Sequence, residues 1–232
     1  MKSKINTNAN IITKKIRKKF KHNGKYILSI DIEYPSIRLS SDYVIKKSIN
    51  SEYRIISKKF YIYATKVMLP RAIQQYIEFN KEQYPFNTYE AVMKYKITLN
   101  NNCILSTYID QYTYEGGAHG NTQRISNTWN LQNGDEITLK DIFKNTNNYK
   151  EKILEQIKKK ANKNIEKNPG IYFENYEELI DKNFNEKSFY LTEDSINVYF
   201  QHYEIAPYST GIVVFSIPYK DLSIHFPNCK NL

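Results

Sequence analysis

Between Lys25 and Val67 the apolar residues change their repeat, and that change constrains the fold more than any other feature. Tyr26, Leu28, Ile30 and Ile32 alternate with polar residues up to Pro35, the pattern of a strand with one buried face. From Ser41 the repeat lengthens: Ile45, Ile49, Tyr53, Ile56, Phe60, Tyr63 and Val67 recur at steps of three or four. Such steps put them on one side of a helix that faces a core. Ser41 or Asn50 is expected to cap its start. Leu69-Pro70 is expected to end or kink it, with 71–83 resuming as helix.

The rest of the chain returns to short periods. Val92–Leu99 and Cys103–Tyr114 read as strands joined by Asn100-Asn101-Asn102, since Asn tolerates the positive φ of a tight turn. A strand over Thr122–Leu131 follows, then a turn at Asn133-Gly134 and a short helix from Thr138 to about Phe143. A second helix spans Asn147–Asn164, with Ile153, Leu154 and Ile157 on its buried side, and Asn168-Pro169-Gly170 stops it. Phe189–Leu191, Ile196–Gln201 and Gly211–Ile217 read as the last strands. The fold class is therefore α+β, in two small subdomains that each pack a largely antiparallel sheet with helices. The expected divisions are a basic tail over 1–24, an amino-terminal domain over 25–125 and a carboxy-terminal domain over 126–232.

The net charge of +10 is unevenly spread. Residues 1–24 hold Lys2, Lys4, Lys14, Lys15, Arg17, Lys18, Lys19 and Lys21 and no acidic residue, so the rest of the chain carries only +2. The tail could meet an anionic membrane surface. Lysine greatly outnumbers arginine and no Arg-aromatic interleaving appears, so nucleic acid is not the expected partner. No window approaches the roughly 18 consecutive apolar residues needed to cross a bilayer, and the tail lacks the apolar core of a secretory signal. Taken alone, these features read as cytoplasmic. Cys103 and Cys229 show no spacing that signals a metal site or a disulfide framework.

Recognisable catalytic motifs are missing. The sequence has no phosphate-binding loop, no G-x-S-x-G elbow, no H-E-x-x-H and no C-x-x-C. Its four histidines are isolated, so no catalytic residue, metal ligand set or cofactor is assigned, and the chain reads as a binding protein rather than an enzyme. Dispersed carboxylates such as Glu115 and Glu204, with His119, offer the alternative of a hydrolase acting on cell-wall or glycan material.

Two segments stand apart. In Tyr112-Thr-Tyr-Glu-Gly-Gly-Ala-His-Gly-Asn-Thr122, a strand runs into three glycines out of the seven in the chain. Gly116, Gly117 and Gly120 are expected to supply unusual φ angles or let something approach the backbone. In Phe200-Gln-His-Tyr-Glu-Ile-Ala-Pro-Tyr-Ser-Thr-Gly211, polar and aromatic groups alternate around Pro207. Tyrosine, glycine and amide groups suit contacts with proteins or saccharides. The expected ligand-binding residues are Tyr112, Tyr114, Glu115, Gly116, Gly117, His119, Gly120, Tyr203, Glu204 and Tyr208. Packing of either segment on its own domain is the alternative.

These segments also carry a resemblance. Tyr114-Glu-Gly-Gly-Ala-His-Gly-Asn-Thr122, Leu139-Lys-Asp-Ile-Phe143, Phe189-Tyr-Leu-Thr-Glu-Asp194, Val198-Tyr-Phe-Gln-His-Tyr-Glu-Ile-Ala-Pro-Tyr208 and Phe215-Ser-Ile-Pro218, with Tyr34-Pro-Ser-Ile37 upstream, occur in that order. The set resembles a bacterial domain pair of unknown function, over about Lys25 to Phe226. It is found in the extracytoplasmic part of RsiV-type anti-sigma factors and ahead of the catalytic domain of PdaC-type peptidoglycan deacetylases. The resemblance implies two α+β domains that act as a receptor for lysozyme in the first group and as an accessory region in the second. Neither a sigma-binding segment nor a deacetylase domain is present here. What it implies for this chain is a recognition module for a lysozyme-like protein or a peptidoglycan fragment, outside the cytoplasm as in its relatives.

Overall fold

The computed structural model describes residues 8–39, 43–144, 147–225 and 227. The fold is α+β. One sheet has the order β1 (Asn10–His22), β2 (Lys25–Arg38), β3 (Tyr89–Asn101), β4 (Ile104–Tyr114), β5 (Asn121–Asn130). A second, three-stranded sheet runs β6 (Phe189–Leu191), β7 (Ser195–Phe200), β8 (Val213–Pro218), with antiparallel pairing throughout. The chain divides into two units, and the division is interleaved: Asn10–Tyr95 with Ile109–Gln123, and Lys96–Tyr108 with Arg124–Leu232 and Ala9. This replaces the contiguous cut expected at 125.

In the first unit, the expected basic tail is corrected. Residues 10–22 form strand β1, paired antiparallel to β2 from Asn10↔Arg38 to His22↔Lys25. The turn is Asn23-Gly24, both at positive φ, the two-residue geometry that fits the twist of a hairpin. Ile12, Ile16 and Phe20 alternate with lysines along β1 and are half-buried. Lys15 pairs with Glu33 at 3.0 Å, Arg17 with Asp31 at 3.1 Å, and Lys94 with Asp31 at 2.7 Å. The hydrogen bond from Lys94 is the main cause that lowers the Asp31 carboxyl below its usual range. β1 is the outer strand of the sheet, and lysine on an outer strand discourages pairing with a stray chain. Lys2 and Lys4 lie outside the described residues, as does Ser41.

β2 and β3 are parallel, in register from Leu28↔Tyr89 to Ile32↔Met93, so the chain must cross between them. The crossing is helical: α1 (Tyr43–Tyr63), a π turn (Ala64–Met68) and α2 (Leu69–Glu82). Pro70 explains the π turn. It donates no N–H, and its ring would crowd the carbonyl of Lys66 in a regular helix. The wider turn, closed by Leu69 N–H donating to Ala64 O, lets the helix run through where an end or kink was expected.

The buried residues are Ile45, Ile49, Tyr53, Ser57, Phe60, Ala64, Met68 and Ala72. From Ser57 this line departs from the expected one at Ile56, Tyr63 and Val67, which turns Tyr63 outward. Asn50 does not cap α1. Its Nδ2 donates to Ile37 O at 3.0 Å and its Oδ1 accepts from Ile37 N–H at 2.7 Å, tying the helix to the end of β2.

The second unit has one core. Leu99 and Ile104, flanking the β3–β4 turn, join Ile153 and Ile157 of α4 (Tyr149–Lys167), Ile180 of α5 (Tyr176–Asn183), and Leu191, Ile196, Val198, Phe200 and Phe215. Every residue of β7 is buried, as expected of a central strand covered on both faces. The β3–β4 turn falls at Asn102-Cys103, one residue later than expected, with both residues at positive φ. Thr138 and Asp141 cap α3 (Leu139–Ile142) reciprocally. Cys103 is disulfide-bonded, which the spacing did not signal; the one other cysteine of the sequence, Cys229, lies outside the described residues.

Candidate functional site

The ten residues expected to meet a ligand fall in both units: seven between Tyr112 and Gly120 in the first, and Tyr203, Glu204 and Tyr208 in the second. In the first unit they build the loop after β4. Gly116 has φ +81°, and a Cβ there would stand 2.7 Å from Gln75 Oε1 of α2 and 3.3 Å from the Tyr89 ring. Gly120 faces the Tyr112 ring, where a Cβ would lie 2.2 Å from Cε2. Only a residue without a side chain lets that ring lie against the backbone. Gly117 meets nothing within 4 Å and has no positive φ, so it supplies neither of the properties expected of it.

Glu115 is held from two sides. Tyr63 Oη donates to its Oε1 at 3.2 Å and Arg71 Nη1 donates to its Oε2 at 3.2 Å. Burial, then the Glu115 charge, raise the Tyr63 hydroxyl above its usual range, which keeps it a donor. His119 is exposed, and its Nδ1–H donates to Gly120 O at 2.9 Å. Tyr114 is half-buried. In this loop the carboxylate therefore ties the chain after β4 to α1 and α2.

In the second unit the segment after β7 is more unusual. Tyr203 has φ +65°, a left-handed conformation uncommon for a bulky side chain, and the residue is 56% exposed. Its ring lies 5.8 Å from that of Tyr208, and Tyr208 lies 4.6 Å from His202. Neighbouring residues over-determine the turn. Gln201 N–H donates to Glu204 Oε2 at 2.6 Å, Glu204 N–H donates back to Gln201 O at 3.2 Å, and Asn183 Nδ2 of α5 donates to Glu204 O. The Gln201 amide also fastens to β5: its Oε1 accepts from Arg124 N–H at 3.0 Å and its Nε2 donates to Arg124 O at 2.7 Å.

Gln201 and Arg124 were not anticipated from the sequence. The Arg124 guanidinium sits 3.8 Å from the centre of the Tyr108 ring and 5.8 Å from that of Tyr199, a cation over aromatic faces. Tyr190 lies beside both, tilted against Tyr108 at 5.1 Å and stacked on Tyr199 at 6.4 Å. A lone arginine in a strand gives no spacing signal. Only its position among tyrosines from three other strands, β4, β6 and β7, makes it distinctive.

Burial raises the Glu204 carboxyl above its usual range, with the Gln201 N–H pulling the other way. Its folded pKa exceeds the unfolded one, so its contribution to stability is full below the unfolded value and is lost as pH rises through the folded one. Glu204→Gln keeps an acceptor for Gln201 N–H and removes that loss. Urea titrations should find the variant matching the wild type in acid and more stable than it at neutral pH. Lower stability of the variant at neutral pH, with a match in acid, would mean that the charge itself holds the turn.

Two family models match the chain. Residues 20–122 match one described as deacetylase PdaC, and residues 140–220 match a protein family of unknown function, DUF3298. The chain is thus similar to a domain pair with a PdaC-type accessory region ahead of a DUF3298 domain. Among solved structures, it is similar to a DUF3298 family member from Bacteroides fragilis, at 23% identity and a TM-score of 0.68, over 96% of each chain. It is also similar to a DUF3298 family protein from Pseudomonas aeruginosa, at 14% identity and a TM-score of 0.62, over 96% of this chain and 98% of that one. At these identities the likeness is one of fold. No curated protein matches the chain. Among the described residues, no helix is long and apolar enough to cross a membrane, and no cluster of three or more His, Cys, Asp or Glu side chains is placed to hold a metal ion.

Proposed function

We propose that this protein is a non-catalytic recognition module of the cell envelope, and that the 201–208 turn is its contact surface for a lysozyme-like protein or a peptidoglycan fragment. The observation that carries the reading is Tyr203: an exposed aromatic ring on strained backbone, locked by five hydrogen bonds through Gln201, Glu204, Asn183 and Arg124. Strain of about 1–3 kcal/mol persists only where surrounding structure over-determines it, and such places concentrate at binding sites. A rigid tyrosine brings a large amphipathic face to a partner with little entropy left to lose.

The resemblance to RsiV-type receptors supports a lysozyme-like protein, and the PdaC-type match supports a wall fragment. The Cys103 disulfide supports an oxidising compartment, where either partner would be met. A hydrolytic role through Glu115 and Glu204 is less well supported, because each carboxylate is occupied: Glu115 with Arg71 and Tyr63, Glu204 with the Gln201 backbone.

Titration calorimetry of the whole chain with hen and bacterial-type lysozymes, and with muropeptides, is the test. Binding of one of them should be weakened by Tyr203→Ala by about 2 kcal/mol, roughly thirtyfold, as is usual for a central aromatic anchor. No heat with any of these probes, or unchanged affinity in the Tyr203→Ala variant, would overturn the proposal.

A further inference from the structure

The outer face of α1 shows a second surface, unrelated to the 201–208 turn. Val44, Ile55 and Ile62 are exposed, by 72%, 44% and 45%. Their spacings of eleven and seven residues are close to three and two full helical turns, so the three lie along one line of the helix. Ser48 and Ser51 continue that line between them. On one flank stand Lys47, Arg54 and Lys58; on the other stand Lys59 and, on the π turn, Lys66. All five are exposed, and among the described residues none of them forms an ion pair. Glu52, the one acidic residue of α1, is half-buried.

We infer that this face of α1 docks on an anionic bilayer surface. Isolated exposed apolar residues are ordinary, but a line of them edged on both sides by long basic side chains is the arrangement of a helix that lies in a membrane interface. Val44, Ile55 and Ile62 would enter the headgroup layer. The lysine and arginine stems flank them and carry their charges to lipid phosphates. A soluble polyanion would satisfy the cations and leave the apolar line in water, and an acidic protein would need a groove to match it. The bilayer satisfies both features at once. The positive charge of the β1 strand belongs to the same unit but is partly neutralised by Asp31 and Glu33, so α1 rather than β1 is the docking element.

The test is sedimentation of the full chain with vesicles of phosphatidylcholine alone and of phosphatidylcholine mixed with phosphatidylglycerol. Binding should need phosphatidylglycerol and weaken with salt. Each cation near an anionic surface changes affinity about fivefold, so Lys58→Glu/Lys59→Glu should reduce binding by thirtyfold or more. Ile55→Ser/Ile62→Ser should reduce it by about tenfold with all charges intact, and circular dichroism should show both variants folded. Lys14→Glu/Lys18→Glu on β1 serves as the control and should matter far less. Absence of binding, equal binding to neutral vesicles, or no effect of Ile55→Ser/Ile62→Ser would overturn the inference. So would an equal loss in the β1 control, which would mean diffuse charge attraction.

Discussion

Replacing Cys103 by Ser should cost about 2–5 kcal/mol of stability, the range for losing a native disulfide. Cys103 sits in the β3–β4 turn at positive φ, between Leu99 and Ile104 of the carboxy-terminal core. A crosslink there narrows the unfolded ensemble and tethers the turn that delivers those two residues. Serine fits the space and the backbone, so the loss reports the bond rather than a packing change. The measurement is a urea titration of the wild type, oxidised and reduced, beside the variant. Reduced wild type and Cys103→Ser should coincide, both well below the oxidised protein. A variant as stable as the oxidised protein would show that the bond adds nothing to the fold.

Ser106→Ala should cost about 1–3 kcal/mol, a large effect for the loss of one oxygen. Ser106 is fully buried on β4. Its Oγ accepts from Leu191 N–H of β6 at 2.9 Å and shares a hydrogen bond of 2.8 Å with Thr128 Oγ1 of β5. One hydroxyl thus joins strands of two sheets within the carboxy-terminal unit. Alanine leaves a backbone N–H and a threonine hydroxyl without their partner in a place water cannot reach. A cycle with Thr128→Val separates the two debts: Thr128→Val should cost less in the Ser106→Ala background than in the wild type. Equal costs would show that the pair is not coupled.

The elements whose pattern depends on neighbours alone are legible in the sequence. The alternation of Tyr26 to Ile32, the stripe from Ile45 and the Thr138–Asp141 cap are local signals, and local structure follows them. Features that depend on a distant partner are not legible there. Lys15 and Arg17 read as part of a solvated tail because Asp31 and Glu33, with which they pair, lie across a turn. Asn23-Gly24 is a strong hairpin signal and, weighed against the charge, would have found β1. The helix stripe departs from the expected one at Ser57, ahead of the π turn, and Pro70 sits in a helix that this turn carries through rather than at its end, which a fixed period does not anticipate. At the candidate site, the roles of Gly116, Glu115 and Tyr203 rest on Gln75, Arg71 and Gln201, all remote in sequence or silent in pattern.

The interleaving of the two units sets an order on their birth. The chain enters the amino-terminal unit, leaves it at 96, returns at 109 and leaves for good at 124. On a ribosome that unit has all its residues once 123 has emerged. The excursion over 96–108 is then already made, yet Leu99 and Ile104 wait for α4, which begins only at Tyr149, and for α5 and β6 to β8, the last of which ends at Pro218, before they can be covered. Such separated contacts form slowly and leave apolar surface open meanwhile. A gene cut at 125 would strand these residues permanently: one fragment would carry a hairpin with no core, and the other a core lacking two of its members.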